Sequence, residues 1–156
     1  METILKTIDH FSRLSPTQLK RLIEESNIQN YRADDSILSP EQSPDFYSFL
    51  IQGKWWMQRQ IVGTESPRTW IDDRPGNWHG GIGLIDKVAP PLVKATTDCT
   101  VIHIPRDVLD SLAAENPHLA VTMLRGISGG STLLYEHALA NSTDNELGER
   151  NEAAQR

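Results

Sequence analysis

Between Asn27 and Ile104 the chain alternates short apolar or β-branched runs with turn signals, and this texture constrains the fold more than any other feature. The runs are "NIQNY", "SIL", "FYSFLI", "WWMQRQIV", "RTWI", "LVKA" and "TVIHI". Between them stand "ADD", "SPEQSPD", "QGK", "GTESP", "DDRPGN" and "DKVAPP". Runs this short cannot form helices of useful length, and their Pro/Gly/Asp punctuation is that of an antiparallel sandwich or roll of about eight strands. Gly53 in "LIQGKWW" marks a hairpin between the two strongest strand patterns.

Helical periods bracket this region. "LSPTQLKRLIEES" predicts a helix with Ser15 at the N-cap, Pro16 at the first position and Gln18 completing a capping box. Leu19, Leu22 and Ile23 form its apolar stripe. A shorter helix is expected before it, over about Ile4 to His10. After Pro105, "PRDVLDSLAAEN" places Val108, Leu109 and Leu112 on one face. Asn116 and Pro117 then cap "HLAVTMLRGIS", with Leu119, Ala120, Met123, Leu124 and Ile127 facing inward. Segregated runs of helices, strands and helices predict an α+β chain, an antiparallel β-roll of the double-stranded jelly-roll type flanked by N-terminal and C-terminal helices. The expected organisation is one domain over residues 1–140 and a mobile polar tail over 141–156, where no apolar stripe continues.

Composition narrows the function. A net charge of −6 argues against a broad electrostatic grip on nucleic acid or anionic lipid. The single cysteine, Cys99, allows no intramolecular disulfide and reads as a small strand residue in a reducing compartment. "METILKTIDHF" has acids and a histidine inside its apolar pattern, unlike a signal peptide, and no run approaches a membrane span. A cytoplasmic setting follows as the expectation. No G-x-S-x-G elbow surrounds Ser128 or Ser131, and "GGIGL" lacks the Lys-Ser/Thr of a P-loop. His79 and His103 lack the close spacing and neighbouring carboxylate of a metal site. No enzyme activity and no metal are therefore expected. A metal-dependent, cupin-like enzyme would require His79 and His103 to share a nearby carboxylate.

The order of elements, with "DFYSFLIQGKWWM", the glycines at 76 and 80, and "VKATTDCTVIHIPRDVLDSL", resembles the cyclic nucleotide-binding domain family from about His10 to Gly130. That family carries a phosphate-binding cassette of the form G-D-x-F-G-E-[LI]-A-L, followed by R-[TSA]-A. Here Gly76-Asn77-Trp78-His79-Gly80-Gly81-Ile82-Gly83-Leu84 keeps both cassette glycines and the apolar places Ile82 and Leu84. His79 replaces the aromatic residue. Gly81 stands where the family has the glutamate that bonds the ribose hydroxyl, and Ala89 falls where it has the phosphate-binding arginine. The resemblance thus implies a degenerate phosphate cradle of Trp78, His79, Gly80, Gly81, Ile82, Gly83, Leu84, Lys87 and Ala89, with Lys87 the nearest basic substitute.

Without the arginine and the carboxylate, cyclic nucleotide binding should weaken roughly a hundredfold to many thousandfold. Backbone N–H groups from Gly80 to Gly83 would remain as a generic anion site. The expected function is a non-enzymatic regulatory or sensory module, with no bound cofactor and cyclic nucleotide at most a weak ligand. Two alternatives stay open: a sensor of another small anion, and a protein-interaction or dimerisation scaffold. Trp55 and Trp56, adjacent on a strand, point to opposite faces, so at most one is core and the other is a candidate interaction surface. In the family the helix corresponding to "LAVTMLRGISGGSTLLY" pairs subunits or closes over ligand, which implies a protein partner or self-association there. Too few residues follow it for a helix-turn-helix, so direct DNA binding is not expected.

Overall fold

A computed structural model describes residues 1–42, 45–59, 66–80 and 91–126. By its contacts the chain divides into Met1–Leu119 and Ala120–Arg156. The expected boundary at residue 140 lies outside the described residues.

The first unit opens with α1 (Glu2–Leu5) and α2 (Pro16–Glu24). The short first helix stops well before His10, and turns carry the chain on to Leu14. At α2 the capping box forms as its sequence dictates. Ser15 Oγ accepts from the Gln18 backbone N–H at 3.2 Å, and Gln18 Oε1 accepts from the Ser15 N–H at 3.0 Å. Leu19 and Leu22 are buried, while Lys20 and Glu24 remain outside.

Eight strands follow among the described residues: β1 (Asn27–Tyr31), β2 (Ser36–Leu38), β3 (Phe46–Gln52), β4 (Trp55–Arg59), β5 (Arg68–Asp72), β6 (Trp78–His79), β7 (Leu92–Ala95) and β8 (Cys99–Pro105). They form two antiparallel four-stranded sheets, in the orders β1-β8-β3-β6 and β2-β7-β4-β5. Each of the seven strand-like runs of the sequence contributes a strand, with residues 60–62 of "WWMQRQIV" lying outside the described residues. The eighth, β6, is the opening of the glycine-rich stretch. The hairpin expected at Gly53 does not form, because β3 and β4 pair with other strands in different sheets; the chain changes sheets at Gly53, whose φ of +92° is costly for any residue with a side chain. A Cβ there would also collide with the Asp98 carbonyl oxygen and with Cys99.

Strand alternation sorts the core into two layers. Leu38, Leu50, Trp55, Met57, Val93, Ala95, Cys99 and Val101 pack together between the sheets. The residues of opposite parity on the first sheet meet the helices: the Phe49 ring lies 5.0 Å from Phe11 and 5.4 Å from His10. Burial raises the Cys99 thiol to about 11, with Asp98 and Asp35 adding to the shift, so the side chain is an inert strand residue.

Helix α3 (Arg106–Glu115) then buries Val108, Leu109 and Leu112 as the sequence predicts. Arg21 of α2 reaches Glu115 at 3.0 Å, tying the two helices together. Asn116 Oδ1 accepts from the His118 N–H, and a further helical stretch covers 117–126. Leu119 is buried as expected, but Leu124, expected to face inward, is 65% exposed. Ile127 lies outside the described residues. No helix among the described residues is long and apolar enough to cross a membrane.

Candidate functional site

Strand β3 places Phe46, Ser48 and Leu50 on the face that looks into the roll, and β8 does the same for Val101 and His103. Ser48 is paired in register with His103 on one side and with His79 of β6 on the other. Three polar side chains therefore form one row across this sheet. All three are buried.

The row is extended by hydrogen bonds. His103 Nδ1 lies 2.8 Å from Ser48 Oγ, and His103 Nε2 lies 2.8 Å from the Tyr31 hydroxyl. Tyr31 donates its one proton to Gln29 Oε1. The phenol oxygen must then accept from His103 Nε2–H, which leaves Nδ1 to accept from the Ser48 hydroxyl. This chain satisfies one neutral tautomer of His103 completely. Phe46 closes over the ring with centroids 4.8 Å apart. Burial accordingly lowers the His103 pKa from 6.5 to about 4.

His79 is held differently. Its ring sits 5.1 Å from that of Trp55, and its Nε2 has no hydrogen-bond partner among the described residues. Burial, and to a lesser degree the proximity of His103, lowers its pKa to about 3. Both histidines are thus uncharged near neutrality. Trp55 is completely buried, and its indole N–H donates to Asp72 Oδ2 at 2.9 Å. The other oxygen of Asp72 accepts from Asn77 Nδ2 at 2.7 Å.

The turn before β6 is docked on β3 by two backbone bonds, Gly76 N–H to Leu50 O and Leu50 N–H to Asn77 O, both 2.8 Å. Gly80, just after β6, has φ +142°, and a Cβ there would lie 2.8 Å from the Tyr47 Cα and 2.9 Å from the Phe46 carbonyl oxygen. A glycine is needed for the chain to pass this close to β3.

Of the residues expected in the cradle, the structure describes Trp78, His79 and Gly80. Gly81, Ile82, Gly83, Leu84, Lys87 and Ala89 lie outside the described residues. Trp78 turns away from the roll interior and stacks on Phe49, centroids 5.9 Å apart, with its edge toward Tyr47. Trp55 belongs to the core, which leaves Trp56 as the candidate surface residue of the pair. Trp56 is half-buried on the outer face of the second sheet, in register between Lys94 and Ile71, and Ile71 is 63% exposed. His79 and His103 do share a face, but Ser48 stands between them. Among the described residues no group of three or more His, Cys, Asp or Glu is gathered as a metal site would require. Ser48, Tyr31, Asp72 and Asn77 were not singled out in the sequence. Their signal was parity: Ser48 is the one polar residue inside "FYSFLI".

No family model matches the chain, and no curated protein matches it. Solved structures do. The sensor domain of the transcriptional regulator DNR from Pseudomonas aeruginosa superposes with a TM-score of 0.66 at 17% identity, covering 83% of this chain and 91% of that one. The catabolite activator protein of Thermus thermophilus gives 0.61 at 19% identity, covering 81% of this chain and 61% of that one. The cAMP-bound PfPKA-R (141-441) gives 0.65 at 18% identity, over 86% of this chain and 45% of that one. The chain thus spans about three fifths of the Thermus protein and under half of PfPKA-R. It has the β-roll fold of cyclic nucleotide-binding domains.

Proposed function

We propose that this chain is a non-enzymatic sensory or regulatory module whose ligand enters the roll and is held by neutral hydrogen-bonding groups, not by the charged pair of a usual cAMP or cGMP receptor. The observation that carries the reading is His79 Nε2, a buried polar atom with no partner among the described residues, at the end of the row through Ser48 and His103. Such an atom costs about 1–3 kcal/mol when left unpaired, a cost that a ligand hydrogen bond would remove. The residues at cassette positions agree, since Gly81 and Ala89 offer neither carboxylate nor guanidinium.

Ser48 and His103 form a hydrogen-bonded pair of the kind hydrolases use, yet the details point away from catalysis. Ser48 is fully buried, and the far nitrogen of His103 meets a phenol rather than a carboxylate that would stabilise an imidazolium. A base with a pKa of about 4 is also a poor proton acceptor at neutral pH.

The deciding experiment is calorimetric titration of the full chain with cAMP, cGMP and cyclic di-GMP, alongside a Gly81→Glu, Ala89→Arg double variant. The expected result is no micromolar binding by the unaltered chain and a gain in the double variant. Micromolar binding of cAMP or cGMP by the unaltered chain would sink the reading. A second reading, an interaction scaffold, draws on the exposed Ile71 beside Trp56. It predicts that Trp56→Ala and Ile71→Ser alter association while leaving ligand titrations unchanged. Self-association through the helix that begins at Pro117, in the absence of direct DNA binding, belongs to that reading.

A further inference from the structure

The β4–β5 hairpin carries an arrangement that neither the core nor the polar row uses. Arg59 and Arg68 are paired in register across the two strands. Their direction follows from alternation. Gln58 and Thr69, the preceding pair, face outward and bond to each other at 3.2 Å, whereas Met57 lies in the core between the sheets and Trp70 packs against it. Arg59 and Arg68 share the parity of Met57 and Trp70, so both project from the inward face. Both are half-buried, and among the described residues neither guanidinium has a hydrogen bond or an ion pair.

Two like charges directly opposite each other on antiparallel strands repel, with Cβ atoms about 4.5–5.5 Å apart. Half-burial strengthens that repulsion, because less water screens it. Asp72, the inward acid of the same hairpin, lies four pairs further along the strands and is already engaged by Trp55 and Asn77. The pair therefore offers two unspent positive charges and two planar donor forks at one end of an apolar strip. A phosphate monoester dianion matches both the charge and the bidentate geometry, which a single carboxylate does not. The adjoining Trp70, half-buried, offers an indole face to a planar ring.

We infer that Arg59 and Arg68 bind the phosphate group of a small phosphorylated aromatic compound whose ring rests on Trp70. This inference places an anion site on the second sheet, whereas His79 belongs to the first. It does not require His79 to touch the ligand, so it and the reading above fail separately.

The test is calorimetric titration of the full chain with phenyl phosphate and with inorganic phosphate, at constant ionic strength. The Arg59→Gln and Arg68→Gln variants are measured in parallel with His79→Phe. The expected result is binding of phenyl phosphate, weaker binding of inorganic phosphate, and at least about a tenfold loss for phenyl phosphate in each arginine variant. Each arginine variant should also melt at the same temperature as the unaltered chain or higher, since repulsion is relieved, so loss of binding cannot be loss of fold. Phenyl phosphate binding unchanged in both arginine variants, or absent from the unaltered chain, would overturn the inference. Equal affinity for the two probes would remove Trp70 from it. Loss of phenyl phosphate binding in His79→Phe alone would move the site to the polar row.

Discussion

Acid should unfold this protein through its interior histidines, and the effect is large enough to measure residue by residue. His79 and His103 remain neutral in the folded chain down to about pH 3 and about pH 4, whereas the unfolded chain takes up a proton at each near pH 6.5. The lowered folded pKa means that the unfolded state binds more protons throughout this window. Stability is therefore fully present above pH 6.5 and is lost progressively as the pH falls toward 4. Each histidine contributes a slope of about 1.4 kcal/mol per pH unit, so at pH 5.5 the two together should cost about 2.8 kcal/mol relative to pH 7.5. His10, also lowered chiefly by burial, acts in the same direction.

The assay is urea unfolding at pH 7.5, 6.5, 5.5 and 5.0 for the unaltered chain and for His79→Phe, comparing slopes and not absolute stabilities. Removing His79 should reduce the proton uptake on unfolding by about one between pH 5 and 6. An unchanged pH slope in His79→Phe would show that the buried ring is not held neutral, and the derivation from burial would be wrong.

Three other substitutions test the packing. Trp55→Phe keeps the aromatic core but leaves Asp72 Oδ2 without its indole donor, and should cost about 1–3 kcal/mol in urea unfolding; a neutral result would show that this bond contributes nothing. Gly53→Ala forces a side chain into a left-handed position against Asp98 and Cys99, and should cost at least about 2 kcal/mol by thermal or chemical unfolding. Ser15→Ala removes the N-cap acceptor of α2 and should cost about 1 kcal/mol, with the loss recovered by Ser15→Asp.

What the sequence made legible was local. The capping box at Ser15 and the apolar stripe of α3 depend on residues a few positions apart, and each formed where its pattern placed it; the turn at Gly53 formed too, but it joins strands of different sheets and makes no hairpin. The roll itself was legible because turn residues cut the chain into pieces too short for anything else. The row of Ser48, His79 and His103 was not, since those residues stand 31 and 24 positions apart in sequence and become neighbours only through strand register. The same holds for Arg59 and Arg68, whose meaning depends on which face of the hairpin is inward. Trp78 shows the limit in the other direction. Its place beside the glycines suggested the pocket, but one step of strand alternation from His79 sends it to the helix side.

That single step has a mechanical consequence. Strand β6 has only two residues, held to β3 at Ser48 and Phe49. Its His79 rests on Trp55 between the sheets, while its Trp78 rests on Phe49, which in turn touches Phe11 and His10. So short a segment cannot tilt on one side alone. Whatever shifts the imidazole inside the barrel swings the indole outside it, like the two arms of a balance beam with its fulcrum at the sheet.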